Sequence, residues 1–326
     1  MVGFSKNEEV DVHTLISQFW QLTFSGAVQG FIYVLISLGY TMVYGVLRMI
    51  NFANSEIFMI GTFATIVVSR DFLGHQPNGK ALHGFTLIYT MLLCLIASML
   101  ASGVTAMFVE LVAYRRLRSR GTNRLAPLIS AIGISIVLSE AISLLTAGRA
   151  VIAPEILHKS SLFTVLGANI RVDQLLVVIV APIMFFSLQR FVNHTRLGKG
   201  IRAVSMNEET AKLMGININR VISITFLIGG LMTGAAAFFF ETVYEATKFN
   251  IGFNIGIAAF TAAVLGGIGN IRGAFVGGLA LGLLETYASA VLGSQWKAIT
   301  VFLVLIVVLL FRPNGLFGEA VQQTRV

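Results

Sequence analysis

The polar residues that could contact a solute are concentrated at one interruption of an apolar stretch. The segment GYTMVYGVLRMINFANSEIFMIG runs from Gly39 to Gly61 and carries Arg48 between its two apolar halves. A charged side chain at bilayer depth costs on the order of 2.5–3.5 kcal/mol even on insertion scales, so such residues face a cavity or a partner. The pattern predicts a broken membrane helix whose polar groups line a translocation path or a gate. Together with a residue from a second interrupted stretch, the candidates are Tyr40, Tyr44, Asn51, Asn54, Glu56 and Asn270.

The same interruption has a second interpretation, as a tight turn at the membrane interface. Asparagine and serine favour turns because their short side chains hydrogen-bond to the nearby backbone. A glutamate is also stabilised in the first turn of a helix by the positive end of the helix dipole. In this interpretation Glu56 caps the helix that follows the turn, and the residues alone leave both interpretations open.

Glycine recurs at intervals of four residues in two other apolar stretches. This spacing places the glycines on one helix face, where a second backbone can approach closely. Asn270 and Arg272 interrupt the stretch 259–282, so its glycines are assigned to two segments. These segments either pack tightly, or meet near a pore, or form an interface with a second subunit. The glycines predicted to pack helices are Gly230, Gly234, Gly269, Gly273 and Gly277.

Ionisable residues give little support for catalysis or metal binding. Glu140 and Glu285 lie within or near the ends of apolar stretches, and a carboxylate inside a membrane is a functional candidate by default. Each could equally be neutral, or hydrogen-bonded within the bundle. The five histidines have no metal-ligand spacing, and Cys94 is the single cysteine of the chain. We therefore expect a protein that is not an enzyme and that binds no cofactor or metal itself.

The composition predicts a membrane around these residues. Of the 326 residues, 56% are hydrophobic and 12% are charged, whereas soluble proteins carry about 25% charged residues. The apolar runs are continuous, which is typical of helices and not of barrel strands. We predict an all-α polytopic membrane protein with eight or nine transmembrane helices, some of them broken or re-entrant. The predicted spans are 24–47, 51–69, 86–113, 125–147, 172–192, 221–240, 255–269, 273–292 and 297–311.

The placement of lysine and arginine predicts the orientation in the membrane. Loops 113–124 and 193–220 each carry five Lys or Arg residues, and the first has no acid. Loops 70–85, 148–173 and 241–254 mix basic residues with acids. We therefore expect the first two loops to be cytoplasmic. Nine spans place the C-terminus in the cytoplasm and the N-terminus outside, whereas eight spans move one of the ends.

The longest of these loops contains a short helix with its own start and stop signals. Ser205 and Glu208 have the spacing of a capping box, and Gly215 tolerates the left-handed conformation that ends many helices. The signals predict a helix over Met206–Met214, which is too short to be stable alone in water. It either docks against a partner or belongs to a solvated loop.

Four motifs give the chain a resemblance to a known family. ETAKLMG at 209–215 is similar to the E-x-A-x-x-x-G core of the cytoplasmic coupling loop of ABC importer permeases. GYTMVYG followed by MINFANSE, TAAVLGGIGNIRGA at 261–274 and RPNGLFG at 312–318 resemble the LivH-type permease subunit of branched-chain amino acid ABC importers. The resemblance implies a polar tail at 1–22, a permease domain at 23–318 with its coupling loop at 193–220, and a tail at 319–326.

The resemblance also implies a function and a set of partners. A LivH-type permease pairs with a homologous second permease, with two cytoplasmic ATPases that bind ATP and Mg²⁺, and with a periplasmic substrate-binding protein. It lies in the bacterial inner membrane and moves branched-chain or other neutral amino acids inward by alternating access. The coupling loop docks on an ATPase, and the residues that match it are Glu208, Glu209, Ala211, Met214 and Gly215.

A competing hypothesis is an ion-coupled secondary transporter of small polar solutes. Broken helices support it, because discontinuous helices form the binding sites of such transporters. The ion-coupled hypothesis does not account for the capped helix in loop 193–220. The chain contains no G-x-x-x-x-G-K-[ST] phosphate loop, so any ATP would bind to another subunit.

Overall fold

The computed structural model describes residues 18–75, 82, 84–119, 125–157, 159, 161–165 and 168–318. Some predicted features lie outside the described residues: residues 1–17 of the predicted tail 1–22, the predicted tail 319–326, and Arg120 and Arg124 of loop 113–124.

The helices in the described part are α1 Phe19–Leu47, α2 Asn54–Ile66, α3 Gly84–Val109, α4 Arg116–Ser119, α5 Leu125–Thr146, α6 Val172–His194, α7 Arg196–Met206, α8 Glu208–Leu213, α9 Ile218–Tyr244, α10 Ile251–Gly266, α11 Ile271–Leu292 and α12 Lys297–Phe311.

Short elements extend or connect these helices. A π-helical segment follows α2, a second one follows α3, and a 3-10 turn precedes α12. The segments are Val67–Phe72, Glu110–Arg115 and Ser294–Trp296. The strands are β1 Val151–Ile152, β2 Ser161–Val165, β3 Ala168–Arg171 and β4 Ala246–Thr247.

Seven helices within the described residues are long and apolar enough to cross a membrane. The chain is therefore an all-α, multi-pass membrane protein, as predicted. The predicted number of eight or nine spans is approximate, because it counts α2 and α10 together with the seven long helices. These two helices are shorter, with 13 and 16 residues, and α2 follows the predicted break directly.

Helix α1 is the centre of the bundle because its small residues let neighbouring helices approach closely. Every residue from Val28 to Val43 is buried. A Cβ added to Gly30 would lie 2.9 Å from the Cα atom of Leu279 in α11. In lipid there is no hydrophobic driving force between helices, so close packing of this kind is what holds them together.

Helices α5 and α12 lie at the periphery of the bundle. Their apolar side chains are largely exposed, including Ile129 and Ile136 on α5 and Leu303 and Leu310 on α12. A helix that is apolar on its exposed face suits contact with lipid or with another membrane subunit.

The bundle has two chemically different ends. At the end that we call the basic end, which includes α4, α7 and α8, Arg48 donates a hydrogen bond to the Ser205 carbonyl (3.3 Å) and Arg118 to Asn219 Oδ1 (2.5 Å). At the other, which we call the strand end, β1 pairs antiparallel with β4 and β2 with β3. The two loops predicted to be cytoplasmic meet at one end, and loops 148–173 and 241–254 meet at the other.

Candidate translocation path and loop 193–220

Polar side chains close the break between α1 and α2. Helix α1 ends at Leu47, and Arg48 has a left-handed conformation with a φ of 51°. Asn51 Oδ1 accepts hydrogen bonds from the Ala53 amide (3.2 Å) and from Tyr114 Oη (3.3 Å). Because Asn51 is buried, these bonds hold the turn firmly against the π-helical segment that follows α3.

Glu56 points away from this turn, into the junction of α2, α5 and α10. Its side chain is 3% exposed, and Oε1 accepts hydrogen bonds from Ser55 Oγ (3.5 Å) and Ser135 Oγ (3.4 Å). Oε2 has no hydrogen-bond partner among the described residues, and a Cβ added to Gly252 would lie 2.9 Å from it. Glu56 does lie in the first turn of α2, as the second interpretation expected, but it makes no side-chain cap hydrogen bond there, and the N-cap position is Ala53.

Residues from four helices complete this site. A Cβ added to Gly256 would clash with Ser55 and would lie 3.3 Å from Tyr40 Oη, so α10 lies directly on the polar start of α2. Asn54 is buried beside the site, and its Oδ1 accepts a hydrogen bond from Thr233 Oγ1 of α9 (3.3 Å). We call the site the Glu56 cluster and define it as Tyr40, Ser55, Glu56, Ser135, Gly252 and Gly256.

The Glu56 cluster thus contains two of the six path candidates, Tyr40 and Glu56, and Asn54 lies beside it, hydrogen-bonded to Thr233. The other members of the cluster, Ser55, Ser135, Gly252 and Gly256, are not among the residues predicted to line the path. Gly252 and Gly256 repeat the four-residue glycine spacing used elsewhere, so the same rule could have found them. Ser135 carries no such signal, because only the fold places α5 beside α2.

Asn270 lies elsewhere, at the turn between α10 and α11. Its Oδ1 accepts hydrogen bonds from the amides of Arg272 (3.0 Å) and Gly273 (3.2 Å), and its Nδ2 donates to the Phe317 carbonyl (3.0 Å). Arg272 is therefore part of α11 and does not interrupt it. At about 1.5 Å per residue, the ten residues of α10 after Gly256 place Asn270 roughly 15 Å or more from the Glu56 cluster.

Gly269 differs from the other glycines that were predicted to pack helices. It lies in the same turn as Asn270, with a φ of 97°, and its added Cβ would be 3.6 Å from Tyr44 Cδ1. Glycine is needed there for the backbone conformation, so the prediction of a helix-face contact is wrong at this position. Tyr44 is half-buried next to this turn, away from the Glu56 cluster.

The remaining four predicted glycines lie at close contacts between helices. Gly230 and Gly234 pack α9 against α3, and a Cβ added to Gly234 would lie 2.5 Å from the Ser98 carbonyl oxygen. Gly273 and Gly277 pack the first turns of α11 against the end of α10. Ser98 Oγ also donates a hydrogen bond to the Gly234 carbonyl (2.7 Å), which ties α3 and α9 together.

Loop 193–220 contains two helices where the sequence predicted one. Helix α7 extends past Ser205, and α8 has only six residues. Asn207 separates them and caps α8, with its Oδ1 accepting a hydrogen bond from the Thr210 amide (3.0 Å). Ser205 Oγ donates instead to the Arg202 carbonyl (2.8 Å), so the predicted capping box is wrong. The helix predicted over Met206–Met214 is present as α8, but it begins two residues later than predicted. Asparagine is as good an N-cap as serine, and here it displaces the start of the helix.

Helix α8 ends just before Gly215, the stop signal that the sequence predicted. Gly215 has a φ of 80°, its amide donates to the Lys212 carbonyl (3.0 Å), and the Ile216 amide donates to the Ala211 carbonyl (3.1 Å). This pair of hydrogen bonds is a Schellman motif, which satisfies the last carbonyls of a helix. Ala211 is buried against the bundle, with 3% exposure.

The opposite surface of α8, together with the residues that flank it, is exposed and partly apolar. Met206, Leu213 and Met214 are 81%, 87% and 78% exposed, and Glu208 and Glu209 are exposed as well. We call residues 206–215 the coupling segment. It presents acidic and apolar side chains on a short helix, whose conformation is stabilised by the Asn207 N-cap and the Gly215 Schellman motif.

Hydrogen bonds join the coupling segment and its flanks to three long helices. Asn217 Oδ1 accepts from the Arg220 amide (3.1 Å) and so caps α9 directly after the segment. Asn219 accepts from Arg118 of α4, which continues the helical span that α3 begins, and the Ser205 carbonyl accepts from Arg48 directly after α1. A displacement of the segment would therefore act on α1, α3 and α9 together.

The chain is similar to a known protein family and to named bacterial permeases. The family described as "Branched-chain amino acid transport system / permease component" matches residues 22–310. The chain is 39% identical over 308 residues to the high-affinity branched-chain amino acid transport system permease protein BraD of Pseudomonas aeruginosa, covering 93% of this chain and 97% of BraD. It is 38% identical over 309 residues to LivH of Escherichia coli K12, covering 92% and 96%.

Among solved structures, PsaBC from Streptococcus pneumoniae in complex with Fab aligns with a TM-score of 0.45 and 12% identity. This alignment covers 93% of this chain and 97% of the other. The sequence relatives and the matched family extend over nearly all of the described bundle. The chain therefore belongs to the family of permease components of branched-chain amino acid transport systems.

Proposed function

We propose that this chain is the permease subunit of an ABC importer that moves branched-chain or other neutral amino acids inward across the bacterial inner membrane. Its partners are a homologous second permease, two cytoplasmic ATPases and a periplasmic substrate-binding protein. ATP and Mg²⁺ bind to the ATPases, and this chain holds no cofactor. The names of relatives at 39% and 38% identity, which are high-affinity branched-chain amino acid permeases, support the substrate class.

The observation that carries the proposal is the exposed apolar surface of the coupling segment. An apolar side chain of this size gains about 1.5–3 kcal/mol when it moves from water to full burial. Met206, Leu213 and Met214 together favour docking into a groove of a partner protein. Glu208 and Glu209 are exposed beside these apolar side chains, and they can form ion pairs with basic side chains of the partner at the edge of the contact.

The packing of α9 suggests how motion of the docked coupling segment is transmitted to the membrane helices. Helix α9 begins directly after the coupling segment and packs tightly on α3 through Gly230 and Gly234. Between these two glycines, Thr233 donates a hydrogen bond to Asn54, which lies beside the Glu56 cluster. Motion of the coupling segment would therefore move α9 and α3 as one body and shift the polar junction of α2, α5 and α10. We assign the translocation path or its gate to that junction.

The test is copurification with the ATPase subunits, combined with uptake by proteoliposomes that hold ATP inside and the binding protein outside. Leu213→Glu and Met214→Glu should abolish both copurification and uptake, because each places a charge in an apolar contact with the ATPase from which water is excluded. Leu197→Glu is the control: Leu197 is also exposed, at 41%, but lies at the start of α7. Unchanged association of both coupling-segment variants would refute the docking assignment.

The same vesicles decide between this function and an ion-coupled transporter, which the breaks before α2 and α11 favour. We expect uptake to require ATP and to persist when ionophores remove all ion gradients. Uptake that is driven by a gradient without ATP would establish the ion-coupled alternative instead.

A further inference from the structure

A cavity that the proposed path does not use lies toward the strand end of the bundle. It has a volume of about 410 Å³ and is lined by residues of α1, α9, α10, α11 and α12. Small-molecule sites in proteins usually have volumes of roughly 300–1,000 Å³ and a mostly apolar wall with a few polar groups. Here the apolar wall includes Phe240, Ile257 and Val301, and the polar groups include Tyr33, Glu285 and Lys297.

The carboxylate of Glu285 forms the polar floor of this cavity. Its side chain is 6% exposed, and Oε2 accepts a hydrogen bond from Tyr33 Oη (2.6 Å). No other residue in the described part of the chain donates a hydrogen bond to this carboxylate. Glu285 lies seven residues before the end of α11 at Leu292, which is a depth of about 10 Å. Among the described residues no cation forms an ion pair with this carboxylate. A buried carboxylate without a contacting cation is costly, so the floor suits a ligand that brings a positive charge.

Lys297 supplies the opposite charge at another part of the same wall. It is the first residue of α12, at the strand end, and its side chain is exposed. Among the described residues it forms no ion pair with Glu285 or with another acid. Lys297 is close enough to act electrostatically on the Glu285 carboxylate, but the two opposite charges line one cavity without forming an ion pair. A ligand that carries an ammonium and a carboxylate close together can contact both.

We propose that this cavity binds an amino-acid zwitterion with an apolar side chain, with its ammonium on Glu285 and its carboxylate on Lys297. The apolar wall takes the aliphatic side chain. The inference rests on the proposed function in one respect only, that the chain handles neutral amino acids. It adds to that function a binding site within the permease itself, separate from the Glu56 cluster.

A phospholipid with an ethanolamine headgroup shares this ammonium-and-anion chemistry. The position of Glu285 argues against it, because the carboxylate lies about 10 Å along α11 from the end of that helix, whereas a headgroup is tied to its own acyl chains. The free amino acid has no acyl chains to restrain it at the surface. The experiment below separates the two sources.

The test measures binding to the purified permease complex in lipid nanodiscs, without the soluble binding protein, using labelled L-leucine as the probe. Isoamylamine, which lacks the carboxylate, and isocaproate, which lacks the ammonium, serve as competitors. We expect leucine affinity to fall roughly 10- to 100-fold in Glu285→Gln and in Lys297→Gln, the range for losing a hydrogen bond to a charged group. Glu285→Gln should leave isocaproate affinity unchanged, and Lys297→Gln should leave isoamylamine affinity unchanged.

Matched controls are Glu140→Gln and Lys248→Gln, which remove the same charges from exposed residues outside the cavity lining. Equal leucine affinity in wild type, Glu285→Gln and Lys297→Gln would overturn the proposal, even if ATP-driven uptake is normal. So would loss of copurified ethanolamine lipid in Glu285→Gln with leucine binding unchanged. Failure of the wild type to take up any amino acid with ATP would instead count against the proposed function, whatever the binding result.

Discussion

Glycines serve opposite physical purposes in the buried bundle and in the coupling segment. In α11, a Cβ added to Gly282 would collide with the backbone of Gly30 in α1, so glycine is there for close approach. At Gly215 no atom of the described residues lies within 4 Å of an added Cβ, and the φ of 80° is the reason for glycine. The bundle is thus held by contact between helices, whereas the coupling segment is held by its own caps. Substitutions should therefore separate stability from coupling.

The largest effect is expected from Gly282→Leu. The new side chain cannot be accommodated without separating α11 from α1, and overpacking of this kind costs about 3 kcal/mol or more when backbone is the obstacle. We expect little protein in the membrane and a large drop in the thermal midpoint of what is purified. Gly133→Leu in α5 is the matched control, because no described atom lies within 4 Å of its added Cβ. Equal loss in both variants would contradict the packing account.

Glu56→Gln should separate function from stability inside the bundle. The carboxylate has only two long hydrogen bonds from hydroxyl groups and one oxygen without a partner among the described residues. Removing a buried charge with so few partners should raise the thermal midpoint or leave it unchanged. If the Glu56 cluster lines the path, uptake should fall about tenfold, which corresponds to roughly 1.4 kcal/mol. A lower midpoint together with normal uptake would show that Glu56 is a structural residue.

The smallest effect is expected from Asn207→Ala in the coupling segment. Loss of an N-cap costs about 1 kcal/mol, and it acts on α8 alone. Affinity for the ATPase should fall about fivefold at unchanged thermal midpoint, since 1 kcal/mol corresponds to that factor. Asn207→Asp, which keeps the capping oxygen, should retain wild-type affinity. A drop in the midpoint, or equal affinity in both variants, would show that the caps do not maintain the segment independently.

Much of the architecture follows from local signals in the sequence. Charged and amide residues inside an apolar run marked the break before α2, and glycine spacing marked the α3–α9 contact. The start of α8 was predicted wrongly because two capping signals overlap there. Ser205 and Asn207 are two residues apart, and only the continuation of α7 through Ser205 decides between them.

The parts that sequence reasoning missed depend on contacts between distant residues. Tyr33 and Glu285 are 252 positions apart in the chain, yet they share a hydrogen bond. The amide of Phe317 donates to the carbonyl of Gly266 (3.0 Å), so the segment after α12 closes the end of α10. Neither pairing has a local signal, because each depends on which helices become neighbours in the bundle.

The most direct test of the account is photo-crosslinking from the coupling segment. Cys94 is buried and is the single cysteine of the chain, so Cys94→Ser allows one new thiol to carry a benzophenone probe. The account predicts that Met214→Cys, labelled in the assembled importer, crosslinks to the ATPase subunit, while Lys248→Cys near the strand end does not. Crosslinking from Lys248→Cys, or none from Met214→Cys in an importer that still hydrolyses ATP, would contradict it.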